Sequence, residues 1–335
     1  MSNIAVIGSG AWGTALALSF AKNPIHRLTL WAHSANVAET ISATRENSHF
    51  LPGFPLPETI HATSQLEEAV VGAEIIVTAV PSHHARRVFS QLGPLLQPNQ
   101  VLVSATKGIE DETYLRMSEV IAELLLTRSL ALPIAVLSGP SFAEEVAAGR
   151  PTAVTLACAD LEIAQQLQAA FTGPALRIYS SDDVTGVEIG GSLKNVIAIA
   201  SGIVTGLDLG TNSAAALITR GLAEISRLAI ACGGRGETLS GLAGIGDLVL
   251  TCTGGLSRNR SVGIALGHGQ TLPEIVAALH GKVAEGIRTT RAAQGLARKH
   301  QVEMPITDQV AQILYDHKSP KVAIRDLLAR PGRNE

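Results

Sequence analysis

Gly8-Ser9-Gly10-Ala11-Trp12-Gly13 stands directly behind a first aliphatic run, residues 4–7, and ahead of an apolar stretch, residues 14–21. A G-x-G-x-x-G loop in that position can bind a pyrophosphate. The first glycine makes the tight turn, the second lets backbone N–H groups approach the ligand, and the third lets helix pack on strand. A plain glycine-rich turn is the alternative. Trp12 could cover a dinucleotide or fill the core. An NAD-specific site would carry an acid at the end of the second strand, yet the chain reads Leu30-Trp31-Ala32-His33-Ser34. A 2'-phosphate would not be repelled there, so NADP is allowed as well as NAD. His33 is a cofactor contact or a surface histidine.

Further groups fall where a strand run ends. Residues 101–105 lead into Thr106-Lys107-Gly108, which sets an ammonium beside the strand ends where α/β proteins bind ligands. Residues 134–137 lead into Ser138-Gly139-Pro140-Ser141-Phe142-Ala143, a strand, tight turn and helix start in which Ser138 or Ser141 serves as N-cap or as ligand contact. Gly190-Gly191-Ser192-Leu193-Lys194-Asn195 places a lysine in an apolar helix, where it needs partners. Gly244-Ile245-Gly246-Asp247 offers one carboxylate among glycines. Gly254-Gly255-Leu256-Ser257-Arg258-Asn259-Arg260 offers a capped helix start with guanidinium groups, suited to a phosphate or simply a solvated helix end. The adjacent His83-His84 is not read as a metal pair, because neighbouring side chains diverge and no acid or cysteine completes a site.

The elements that must position these groups change character along the chain. Seven strand-length runs, residues 4–7, 28–31, 75–80, 101–104, 134–137, 152–156 and 176–179, alternate with helix-like or turn-rich segments. They predict an α/β domain with a doubly wound, mostly parallel sheet over residues 1–183. Pro52, Gly53, Pro55 and Pro57 mark a loop. From 184 to 335 the chain is alanine-rich and strand-free, with helix-like stretches at 184–204, 212–231, 273–280, 289–299 and 307–317, and predicts an all-helical domain. The end of the 325–335 tail reads as solvated.

At 335 residues the chain is long enough for two domains, and 46% hydrophobic residues against 16% charged exclude disorder as its main state. Aromatics are only 3% while glycine reaches 32 residues, which predicts an aliphatic core with close backbone approaches. The net charge of −3 gives no basic face for nucleic acid. Cys158, Cys232 and Cys252 read as buried thiols in a reducing compartment. The start lacks a secretory signal, and the most membrane-like run, 196–204, is short of the ~20 residues needed to span. A cytoplasmic protein is expected.

Taken in order, Gly8 to Gly13, Trp31-Ala32-His33, Phe50-Leu51-Pro52, Val80-Pro81-Ser82, Ala105-Thr106-Lys107-Gly108, Ser138 to Ala143, Lys194-Asn195, Gly246-Asp247-Leu248, Ser257-Arg258-Asn259-Arg260 and Val283-Ala284-Glu285-Gly286 closely resemble the soluble bacterial NAD(P)-dependent glycerol-3-phosphate dehydrogenase family. The resemblance runs through nearly the whole chain. It implies a Rossmann-like domain, a helical domain, a substrate site between them, and a homodimer. The implied reaction interconverts dihydroxyacetone phosphate and sn-glycerol 3-phosphate, for phospholipid synthesis. By position, Lys194 resembles the family's proton acceptor. Lys107, Asp247, Asn195 and Thr251 resemble its polar surround, and Arg258 and Asn259 its phosphate clamp, with Gly139, Ser141 and Ser257 nearby. Ser9, Trp12, His33, Phe50, Lys107, Ala143, Arg258, Val283 and Glu285 resemble cofactor contacts, with Ser34 where many relatives have Arg. For proton transfer near neutral pH, Lys194 must be partly neutral although a free lysine has a pKa near ~10.4. A second ammonium and desolvation would favour that, with Asp247 opposing. Two other readings are a dehydrogenase for a hydroxy acid and a nucleotide sensor without chemistry.

Overall fold

The computed structural model describes residues 2–279 and 283–332. The chain forms two compact units, one of 1–107 with 115–188, the other of 108–114 with 189–335. Against the division expected at 183, the first turn of the Val184–Gly206 helix and an excursion at 108–114 change sides.

The first unit carries eight strands: β1 Ser2–Ile7, β2 His26–Trp31, β3 Ile60–Thr63, β4 Ile75–Thr78, β5 Val101–Ser104, β6 Ile134–Ser138, β7 Thr152–Cys158 and β8 Leu176–Ser181. Their order in the sheet is β3-β2-β1-β4-β5-β6-β7-β8. Every pairing is parallel except β6 with β7. The central strand is buried on both faces. Ile4 and Val6 pack with Leu16, Leu28 and Val77 on one side, while Ala5 and Ile7 pack with Ile76, Leu102 and Val120 on the other. This two-sided burial is why the run 4–7 is continuously apolar rather than alternating. The chain order reverses between β1 and β4, the place where open α/β sheets bind ligands beyond the strand ends.

The second unit is helical and its core is aliphatic, as the composition implies. Its close approach is made by glycine. A Cβ on Gly202 would stand 2.1 Å from Arg260 O, and one on Gly263 would stand 2.0 Å from Ile199 O. Gly206 and Gly267 repeat the contact one turn on. The Val184–Gly206 and Arg258–Gly267 helices therefore cross backbone to backbone.

Several expectations need correction. Helix 273–280 is found as Leu272–Ala278, and His280 lies outside the described residues, as do the last three residues of the tail. The tail region also contains a helix, Pro320–Leu328. The helix beginning at Val184 is a single one of 23 residues, long and apolar enough to cross a membrane, although its apolar window is wholly buried inside the protein. Cys158 and Cys252 are buried, but Cys232 is partly exposed.

Candidate active site

The glycine loop follows β1, and its geometry is set by its neighbours. Gly8 has φ +122°, and a Cβ there would lie 2.6 Å from Ala79 O just beyond β4, so no side chain fits. A Cβ on Gly13 would meet Gly8 O at 1.8 Å. Gly10 is different, since a Cβ there would meet nothing within 4 Å. It caps the Ala11–Phe20 helix without a side-chain hydrogen bond. The loop thus holds an open, uncapped helix N-terminus at the topological switch point, which fits a pyrophosphate. Ser9 is buried and Trp12 half-buried against the core, its Nε1 without a partner. His33 is exposed just past β2, edge-on to Trp31 with ring centroids 5.9 Å apart, and Ser34 follows it, also exposed. Phe50 and Ala143 are half-buried.

Past β5 and β6 the same unit brings Lys107 and Gly139 together. Lys107 Nζ donates to Gly139 O at 3.0 Å, and Ser141 Oγ donates to the same carbonyl at 3.0 Å. Ser141 is therefore not a helix cap, and neither is Ser138. The cap of the Ala143–Ala147 helix is Phe142, and Ser138 Oγ is buried without a partner.

In the helical unit Lys194 is 7% exposed. Its Nζ donates to Asp247 Oδ1 at 2.5 Å and to Thr251 Oγ1 at 2.8 Å, and Thr251 Oγ1 donates to Asp247 O at 2.6 Å. Asp247 and Thr251 lie one turn apart on the Asp247–Thr253 helix, so they present both oxygens to the same amine. Gly190, one turn before Lys194, lets this helix meet Ala243 O, which a Cβ would approach to 2.5 Å.

Asn195 Oδ1 accepts from Asn259 Nδ2 at 2.9 Å, and Asn259 Oδ1 accepts from Gly286 N at 2.9 Å. Both asparagines are buried. Their neighbours Lys194, Arg258 and Glu285 are thereby fixed in register. Ser257 caps the Arg258–Gly267 helix by accepting from Arg260 N at 3.2 Å, as its sequence suggests. Arg258 lies at the first helical position and reaches solvent. Partial burial pushes its pKa below the ordinary guanidinium value, and the nearby Glu285 carboxylate opposes this. Val283 and Glu285 are half-buried.

Two family models match, described as "NAD-dependent glycerol-3-phosphate dehydrogenase N-terminus" over residues 3–164 and "NAD-dependent glycerol-3-phosphate dehydrogenase C-terminus" over 183–325. The chain belongs to the NAD-dependent glycerol-3-phosphate dehydrogenase family. Among its relatives, a glycerol-3-phosphate dehydrogenase [NAD(P)+] of Acidobacterium capsulatum is 60% identical, covering 100% of both chains. One of Koribacter versatilis is 56% identical over 100% of this chain and 99% of its own. The crystal structure of glycerol-3-phosphate dehydrogenase from Coxiella burnetii is 42% identical with a TM-score of 0.93, covering 98% of this chain and 99% of that one.

Other features of this family member were not foreseen from its sequence. His83 and His84 do not diverge: their rings lie 3.9 Å apart. No group of three or more His, Cys, Asp or Glu able to hold a metal gathers among the described residues. Buried carboxylates appear instead as anchors. Glu188 accepts from Ser118 N at 2.8 Å and Arg116 Nη1 at 2.7 Å, and Glu224 accepts from Ile306 N at 2.6 Å. Burial pushes the pKa of both above the ordinary carboxylate value. Asn47 is a third buried polar anchor, an uncharged amide whose Nδ2 donates to Ser9 O at 2.7 Å. Glu188 and Glu224 each stand in the sequence as an acid among apolar neighbours, whereas Asn47 is flanked by Arg45, Glu46, Ser48 and His49 and carries no such signal.

Proposed function

We propose that the protein reduces dihydroxyacetone phosphate to sn-glycerol 3-phosphate, reversibly, with Lys194 as the proton-transferring residue. The observation that carries this reading is the buried lysine gripped by a carboxylate and a hydroxyl. An amine so tethered is aimed at one place, and proton transfer depends on that aim. When bound, the nicotinamide dinucleotide supplies the hydride. Lys194 Nζ delivers the proton to the substrate oxygen as the carbonyl becomes a hydroxyl, and takes it back in the reverse direction. Asp247 and Thr251 orient the amine. Lys107 stabilises charge developing on that oxygen. Arg258 pairs with the phosphate at a helix start whose dipole also favours an anion, with Ser257, Asn195 and Asn259 holding that helix start in register. Gly139 and Ser141 complete the substrate contacts.

Residues 1–183 are proposed as the dinucleotide-binding domain and 184–335 as the substrate-binding one. Gly8, Ser9, Gly10 and Gly13 cradle the pyrophosphate, and Trp12, His33, Phe50, Ala143, Val283 and Glu285 are further cofactor contacts. Nothing acidic at the end of β2 opposes NADP. A cytoplasmic location and a homodimer belong to the same proposal, the exposed Leu209, Ile230 and Val276 being apolar surface that a partner could cover. The test is incubation with NADPH or NADH and dihydroxyacetone phosphate, followed at the absorbance of the reduced nicotinamide. Oxidation that requires the phosphorylated ketone is expected. Oxidation with unphosphorylated keto acids but not with this substrate would overturn the reading.

A further inference from the structure

Asn47 lies just past the Ala35–Thr44 helix and is 1% exposed. Its Nδ2 donates to Ser9 O at 2.7 Å and to Thr14 Oγ1 at 2.8 Å, while its Oδ1 accepts from Phe50 N at 3.3 Å. Thr14 Oγ1 donates in turn to Ser9 O at 3.2 Å. One buried amide therefore fastens the middle of the glycine loop, the first turn of the helix behind it, and the segment bearing Phe50.

The peptide plane gives this contact a consequence. In a trans peptide the carbonyl and the N–H point in opposite directions, so holding Ser9 C=O towards Asn47 turns the Gly10 N–H away from it. Gly10 is the residue whose absent Cβ leaves the loop open. Asn47 is itself held firmly. Leu51 N donates to Asn47 O at 2.9 Å, Gly53 N donates to Glu46 Oε1 at 2.8 Å, and the Arg45 guanidinium donates to Leu56 O at 3.2 Å and Ile60 O at 3.0 Å. An amide suits the position because it offers two donors and an acceptor without charge. A carboxylate would face the Ser9 carbonyl with lone pairs alone.

We infer that Asn47 is a positioning residue for the dinucleotide, presetting the Gly10 N–H and the Phe50 backbone so that neither has to be ordered when the cofactor binds. This rests on the dinucleotide-binding reading of the loop. The test is calorimetric titration of NADPH and NADH into the wild-type chain and into Asn47→Asp and Thr14→Val, with Michaelis constants measured alongside. Asn47→Asp should raise the dinucleotide Kd about tenfold or more, the scale of one or two lost hydrogen bonds. The Michaelis constant for dihydroxyacetone phosphate at saturating dinucleotide should stay within about twofold. Thr14→Val removes one link and should give a smaller rise in Kd, which preserves the test should the aspartate variant not fold. Loss of kcat with unchanged Kd would mean a merely structural role and overturn the inference, as would wild-type Kd in Thr14→Val and in a folded Asn47→Asp. A wild-type chain that binds neither dinucleotide would overturn the underlying reading instead.

Discussion

Lys194 Nζ stands 2.5 Å from Asp247 Oδ1, the carboxylate fully buried and the lysine side chain 9% exposed. They form a buried ion pair, and breaking such a pair by removing one member costs about 3–5 kcal/mol in comparable proteins. Lys194→Met should cut turnover about 10²-fold or more. Dinucleotide binding should survive. Turnover near the wild-type rate would remove Lys194 from the proton path.

Arg258 meets solvent at a helix start, and its guanidinium is the group proposed to pair with the substrate phosphate. Arg258→Ala should raise the Michaelis constant for dihydroxyacetone phosphate by about tenfold or more, since a charge-assisted pair would be lost. Added guanidinium ion should restore part of the rate. An unchanged constant would place the phosphate elsewhere.

Gly263 leaves no room for a methyl group, its Cβ position being 2.0 Å from Ile199 O. Gly263→Ala should destabilise the helical unit by about 1–3 kcal/mol through forced separation of two helices. Gly255→Ala, where a Cβ meets nothing within 4 Å, is the control and should melt close to wild type. Equal melting temperatures for all three chains would refute the crossing.

Burial pushes the Glu224 carboxyl up to about 7, against the hydrogen bonds from Ile306 and Thr307 and the nearby Arg227, which lower it. The folded chain therefore keeps a proton that the unfolded chain releases near the ordinary value of 4.5. Its contribution to stability is fully present below 4.5 and is lost as pH rises towards 7, by about 3 kcal/mol in all. Glu224→Gln should remove that slope. Urea unfolding of both chains between pH 4.5 and 7.5 measures it, and parallel curves would contradict the assignment.

Much of the sheet was legible because β1, β4 and β5 are buried on both faces and so read as unbroken apolar runs. β3 was not: Ile60–Thr63 is a short edge strand with His61 turned outwards, too brief and too polar to stand out. The reversed direction of β7 was also illegible, because a run of residues carries no record of which way the chain enters it. Lys194 and Asp247 could be singled out as charges in apolar company, but their pairing spans 53 residues. Asn47 reaches back 38 residues to Ser9, and Glu224 forward 82 to Ile306. Such partners are set by tertiary packing, which composition and spacing do not encode.

The Val184–Gly206 helix also has a consequence during synthesis. What covers it includes the Arg258–Gly267 helix, which is made some 50 residues later. At about 5–20 residues per second, the nascent chain carries this apolar segment without that cover for on the order of seconds. During that interval, a ribosome-bound factor that recognises hydrophobic helices would compete with folding for it. The glycines that let the later helix seat closely therefore also limit how readily such a factor can reclaim the segment.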